Sequence, residues 1–185
     1  NGLICLIADA TSTPAAKAFW QHTGLGASSR LAAIALGEDT ASSESAGDAA
    51  RSRVIQRLAR IYGCDVDAVS LHPSGMTALH RALQLVSALR PSRPVLQIGF
   101  PYVDVLKLPQ VVFSGAELLL DDSEAEVSAA LERLQPSAVV VELPSNPLLR
   151  CVDLPTVARL AHQQGIPVIA DDTIGSGINI NALPH

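Results

Sequence analysis

Three short groups of polar residues stand where a chain alternating strands and helices would bring them to one edge of a sheet. Asn146 follows the apolar run in "AVVVELPSNP", Asp171, Asp172 and Thr173 follow "IPVIA", and Ser74, Gly75 and Met76 open an amphipathic helix. In an open α/β sheet, ligands sit beyond the carboxyl ends of the strands. The backbone N–H groups and the positive dipole end at Ser74-Gly75-Met76 suit an anion, and glycine lets the backbone approach it closely. An anion cradle, a carboxylate and an amide at one edge suit a phosphorylated aromatic cofactor with a basic ring nitrogen. Taken singly, each group has an ordinary structural reading: a helix cap, a strand-end carboxylate, an Asn-Pro turn.

The elements that must position these groups are legible from periodicity. Val54, Leu58 and Ile61 line one helical face, and Gly63 stops that helix. Leu79, Ala82, Leu83 and Val86 repeat at helical spacing behind Ser74, and "VLQIGF" follows as a strand. Ser123 with Glu126 three residues on predicts a capping box, and Val127, Ala130, Leu131 and Leu134 give the buried face of its helix. "AVVVEL" has no polar alternation, so it reads as a strand covered on both faces. Asp153 caps the next helix with Pro155 in its first turn; Val157, Ala158, Leu160 and Ala161 face the core, Gly165 ends it, and "IPVIAD" is the next parallel strand. The alternation from Arg51 onward predicts an α/β layered fold with a largely parallel sheet. Before it, "LICLIA" reads as a buried strand, and Gly37 to Ala50, small and polar without apolar period, as a flexible connection.

Composition narrows the function classes. The chain has 185 residues, 48% hydrophobic and 17% charged, enough for a sizeable core. A net charge of −5 without any basic run argues against nucleic acid or an anionic membrane as partner, and 3% aromatic residues leave little for base stacking. Cys5, Cys64 and Cys151 form an odd, scattered set that predicts reduced thiols and a cytoplasmic protein. No apolar run approaches the ~20 residues of a membrane helix. The first residue is Asn1, which predicts an excerpt of a longer product. The five histidines show no metal-ligand spacing, and His80 and His162 are expected on helix surfaces. "GLGASS" lacks the third glycine and the preceding strand of a dinucleotide loop.

Four ordered segments carry a family resemblance: "SGMTAL" (Ser74 to Leu79), "PYVDVLKL" (Pro101 to Leu108), "ELPSNPLLRCVD" (Glu142 to Asp153) and "ADDT" (Ala170 to Thr173). In this order and spacing they resemble the Cys/Met-metabolism class of pyridoxal-phosphate enzymes, which includes cystathionine γ-synthase and related lyases. The match spans Arg51 to Thr173, and "FWQHTGLGASSR", Phe19 to Arg30, is similar to a stretch of the fungal-type synthases. The resemblance implies the fold-type I, aspartate-aminotransferase-like α/β architecture, with residues 51–185 as an incomplete large domain that binds pyridoxal 5'-phosphate. Residues 1–50 become an interface arm and linker in a homo-oligomer, at least a dimer.

Carried over by position, the resemblance puts the cofactor phosphate on the amides of Gly75 and Met76, with Ser74 opening the turn. It stacks Tyr102 on the ring, pairs Asp171 with the ring nitrogen, and supports Asp171 by Thr173. Asn146 would contact either the ring oxygen or the substrate carboxylate. Asp172 stands where the family commonly has Asn. Ser43 and Ser45 stand where it has a Tyr-x-Arg pair for a neighbouring subunit's phosphate, and Arg30 is the candidate replacement. The Schiff-base lysine is expected beyond His185, because Lys17 and Lys107 are the only lysines here and neither has that context. The implied reaction is γ-replacement on an O-acylated homoserine by a thiol such as cysteine. A β- or γ-lyase is the alternative, and a non-catalytic scaffold is a third reading. The 185 residues alone are expected to be inactive.

Overall fold

Three of the four strands of the central sheet are short runs carrying β-branched residues, and the fourth is Ala-Glu-Leu-Leu. The structure is a computed structural model that describes residues 4–38 and 44–184. Within them β1 (Val95–Ile98), β2 (Ala116–Leu119), β3 (Val139–Glu142) and β4 (Val168–Asp171) form one parallel sheet in the order β2-β1-β3-β4. Every residue of the central strands β1 and β3 is buried, whereas the outer strands are mostly half-covered. Absence of alternation therefore marks the middle of the sheet.

Each strand is joined to the next by a helix, as parallel pairing requires. These helices are α5 (Val103–Val112), α6 (Glu124–Leu134) and α7 (Leu154–Gln163), and α4 (Gly75–Leu89) precedes β1. Alternate strand residues then separate into two cores. Leu96, Ile98, Val139 and Val141 pack with Val127, Leu131, Val157 and Ala161 of α6 and α7. Val95 and Val140 pack on the other side with Leu79, Leu83, Val105 and Leu108 of α4 and α5. The result is the expected helix, sheet, helix layering. Its register sets Glu142 of β3 beside Asp171 of β4.

The N-terminal part differs from its sequence reading in several places. Ile4, Leu6 and Ile7 are exposed and belong to no strand, because the sheet's strands pair only with one another. Two helices follow, α1 (Thr13–Thr23) and α2 (Ser29–Leu36). The connection expected over Gly37 to Ala50 is shorter, since α3 (Glu44–Tyr62) already begins at Glu44. On α3 the covered side is Ile55, Leu58, Ala59 and Tyr62, while Val54 and Ile61 are exposed. The two overlapping stripes share Leu58 and differ by one residue, about 100° of rotation. Long-range contacts at Tyr62 select between them.

Two local expectations fail for identifiable reasons. Ser123 starts α6 without a side-chain capping bond, and the backbone N–H that Glu126 would bind in a capping box is held instead by the Asp121 carboxylate at 2.9 Å in an Asx-type turn. His80 is 2% exposed instead of lying on the surface, packed between the rings of Phe19 and Phe113. His162 is exposed as expected. Among the described residues no helix is long and apolar enough to cross a membrane.

Candidate active site

Helix α4 begins with a serine whose backbone is extended, so its hydroxyl turns back on the first helical turn. Thr77 N–H donates to Ser74 Oγ (3.1 Å), and the Ala78 N–H donates to the Ser74 carbonyl (3.0 Å). This leaves the N–H groups of Gly75 and Met76 with no acceptor among the described residues. They are the free donors at the positive end of a 15-residue helix. A Cβ placed on Gly75 would meet nothing within 4 Å, so there is open space beside this turn.

That open space is part of a cavity of ≈ 340 Å³ at the carboxyl edge of the sheet. Ser74, Gly75, Met76, Tyr102, Asn146, Asp171 and Thr173 all line it, so seven of the eight residues singled out from sequence come together. Arg30 does not: it is exposed on α2 and is not among the lining residues. Among the described residues no basic side chain lines the cavity. Ser43 lies outside the described residues, as does the side chain of Ser45. Lys17 and Lys107 are exposed and line no part of the cavity.

The acidic side of the cavity is built from β3 and β4. Asp171 Oδ1 accepts from the Thr173 backbone N–H (3.1 Å) and hydroxyl (2.5 Å), while Oδ2 has no partner among the described residues. Beside it, the Glu142 carboxylate is 7% exposed and accepts the Tyr102 backbone N–H at 2.8 Å. Burial pushes the Glu142 carboxyl above its ordinary range; the Tyr102 N–H opposes this, the Asp171 charge adds to it, and the Asn146 backbone opposes it in turn. The sequence reading gave Glu142 no role. The signal was present, since a charge inside a strand covered on both faces has to be partnered.

A surrounding layer fixes these groups. Thr77 Oγ1 donates to the Gly24 carbonyl (3.0 Å), which leaves the Ser74 hydroxyl to donate to Thr77 Oγ1 (2.9 Å). Gly24 lies so close that a Cβ there would be 2.5 Å from Ser74 Oγ. His22 Nδ1 donates to Asp104 Oδ1 (2.9 Å), tying α1 to the helix that follows Tyr102. Asp172 is not among the residues lining this cavity; it accepts the Tyr62 hydroxyl at 2.8 Å. Burial first, then Asp172, pushes that phenol up to about 12.

The donor set fits pyridoxal phosphate. An anion finds two unpaired N–H groups at a helix start, and a protonated ring nitrogen finds a carboxylate oxygen with no other partner.

Comparison with known proteins gives the same direction. Residues 44–185 match the family described as Cys/Met metabolism PLP-dependent enzyme. The chain is 33% identical over 196 residues to the L-2-amino-4-chloropent-4-enoate dechlorinase/desaturase of Streptantibioticus cattleyicolor, covering 96% of this chain and 38% of that protein. It is 36% identical over 128 residues to the cystathionine gamma-synthase of Neurospora crassa, covering 62% and 20%. It is 29% identical over 209 residues to an alanine racemase of Aspergillus violaceofuscus, covering 91% and 36%. The chain thus spans between a fifth and two fifths of the length of these relatives. It belongs to the Cys/Met-metabolism family of pyridoxal-phosphate-dependent enzymes, and its parallel sheet is part of the fold-type I large domain.

Proposed function

We propose that the full-length protein is a pyridoxal-phosphate enzyme of transsulfuration type, which replaces the γ-substituent of an O-acylated homoserine with a thiol such as cysteine. The cofactor supplies an electron sink for negative charge developed on the amino acid substrate. The residues of this chain hold and orient it. The N–H groups of Gly75 and Met76 bind its phosphate, with Ser74 fixing the turn, and the Tyr102 ring covers one face. Asp171 keeps the proton on the ring nitrogen, and Thr173 keeps Asp171 in place. Asn146 binds the ring oxygen or the substrate carboxylate. The single observation that carries the reading is the convergence of these seven residues, from four separate segments, on one cavity.

Elimination at the γ-carbon is the second reading. It is favoured by the similarity to the dechlorinase/desaturase, which extends over 96% of this chain against 62% for the Neurospora synthase. Replacement and elimination share a substrate with a leaving group on the γ-carbon and differ in what fills that position afterwards. The protein works as a homo-oligomer in the cytoplasm, with residues 1–50 as interface arm and linker and residues 51–185 as the cofactor-binding part. The lysine that carries the cofactor lies outside this chain.

One assay separates these readings. The full-length protein, its Asp171→Ala variant and the isolated 185 residues are given pyridoxal phosphate and an O-acylhomoserine, with and without cysteine. Thioether formation that requires cysteine is expected from the full-length protein. Asp171→Ala should lose at least about a hundredfold in turnover while staying folded, because the electron sink fails before packing does. The isolated 185 residues should give no product. A keto acid formed equally without thiol would establish elimination, and no turnover of any amino acid would leave the scaffold reading.

A further inference from the structure

Glu142 occupies an unusual place for a carboxylate. It ends β3 after three buried valines, is itself 7% exposed, and lines the cavity beside Asp171, its register partner on β4. Two carboxylates side by side at the edge of a covered sheet repel each other and lose hydration, so the arrangement persists only where donors compensate. The donor is a backbone group of a neighbouring loop. The Tyr102 N–H, from the segment after β1, reaches Oε2 at 2.8 Å.

Tyr102 and Glu142 both line the cavity. Tyr102 starts α5 without any side-chain cap of its own, so the bond to Glu142 is what fixes its backbone where the chain turns from strand to helix. We propose that Glu142 is a positioning residue of the cofactor site: its buried carboxylate holds the backbone of Tyr102 at a set distance from Asp171 and so fixes the width of the slot that takes the cofactor ring. The proposal rests on the functional reading above and adds to it a residue with no role there. It also says which property of Glu142 matters, namely reach more than charge.

Reach and charge are separable by two conservative variants. Glu142→Asp keeps the charge and withdraws the carboxylate by roughly 1.5 Å, one carbon–carbon bond, which breaks a 2.8 Å contact. Glu142→Gln keeps an oxygen at the same reach and removes the charge. Both are made in the full-length protein. Hydrogen exchange of the Tyr102 amide is followed without cofactor, and pyridoxal phosphate affinity and the visible circular dichroism of the bound cofactor are measured with it. The Asp variant should exchange the Tyr102 amide at least about tenfold faster, bind cofactor about tenfold more weakly and show an altered visible dichroism, consistent with loss of a hydrogen bond to a charged group. The Gln variant should stay within about threefold of wild type in each. An Asp variant that equals or surpasses the Gln variant in exchange protection and affinity overturns the proposal and leaves the functional reading standing. A wild-type protein that takes up no pyridoxal phosphate removes both.

Discussion

The α/β body and the N-terminal segment are held by different forces. From α4 to β4 the interior is two continuous apolar clusters on opposite faces of the sheet. In α1 and α2, by contrast, the only buried residues are His22 and Thr23, both polar, while Phe19, Trp20, Leu31 and Leu36 are all exposed. The body is organised by burial, which is non-directional and tolerant of small shifts. The N-terminal segment docks on α4 and α5 through directional contacts, His22 to Asp104 and Thr77 to the Gly24 carbonyl. The second kind of attachment contributes less free energy but places atoms more sharply. It lies directly behind the Ser74 turn.

The contrast is broken most strongly in the body. Leu96 of β1 is fully buried in the core between the sheet and the α6–α7 layer, so Leu96→Ala should destabilise the full-length protein by about 2–5 kcal/mol through lost burial and the cavity left behind. Leu31, 46% exposed on α2, is the counterpart: Leu31→Ala should stay within about 0.5 kcal/mol. Urea unfolding of both variants checks the pair. Equal losses would mean that α2 is buried in the protein as it assembles, against a surface contributed by another copy.

This division of forces also decides what was legible. The body announces itself because burial writes a period into the sequence: β1 and β3 as unbroken apolar runs, α4, α6 and α7 as stripes at helical spacing. The site residues were legible because strand ends and a helix start must carry the polar groups that the interior excludes, and Asn146, Asp171 and Ser74 stand at such ends. Directional contacts write no period. Nothing in the spacing of His22 and Asp104, 82 positions apart, says that they meet. The same holds for Tyr62 and Asp172, 110 apart, whose bond selects the covered face of α3. His80 was misplaced because a helix-surface histidine and one enclosed by two phenyl rings look alike until α1 is docked.

A smaller effect, with a sharper functional consequence, is expected at Gly24. Its φ of 64° is left-handed, and an added Cβ would stand 2.5 Å from Ser74 Oγ and 3.2 Å from the Met76 Cβ. Gly37 is the matched control, with φ of 76° and nothing within 4 Å of an added Cβ. Gly37→Ala should cost only the left-handed penalty, about 1–2 kcal/mol. Gly24→Ala should add roughly 1–3 kcal/mol for overpacking, and should weaken pyridoxal phosphate binding because the side chain that yields is Ser74. Unfolding midpoints and cofactor titration of the two variants test this. Matching cofactor affinities would show that the N-terminal segment does not buttress the cradle.

The smallest expected effect is a pH dependence that originates where the two regions meet. His80 of α4 is enclosed by Phe19 of α1, edge-on with centroids 6.3 Å apart, and by Phe113 just after α5 at 5.6 Å; its Nδ1 has no hydrogen-bond partner among the described residues. Burial first, and then the neighbouring Arg81 charge, lowers its pKa below the ordinary value of 6.5. A group with a lowered basic pKa in the folded state binds its proton more readily when unfolded. Its neutral form is therefore fully compatible with the fold above pH 6.5, and stability falls as pH drops below 6.5 toward the lower folded value. Replacing His80 with Leu removes the proton while keeping an apolar side chain under α1. Urea midpoints of wild type and His80→Leu, compared between about pH 7.5 and about pH 5.5, should show a steeper acid loss in wild type. Because carboxylates elsewhere also titrate, the difference between the two slopes is the quantity that reports His80. Parallel slopes would mean that the ring escapes its phenyl enclosure when charged, and that the joint between α1 and α4 is looser than the contacts of Phe19 and Phe113 imply.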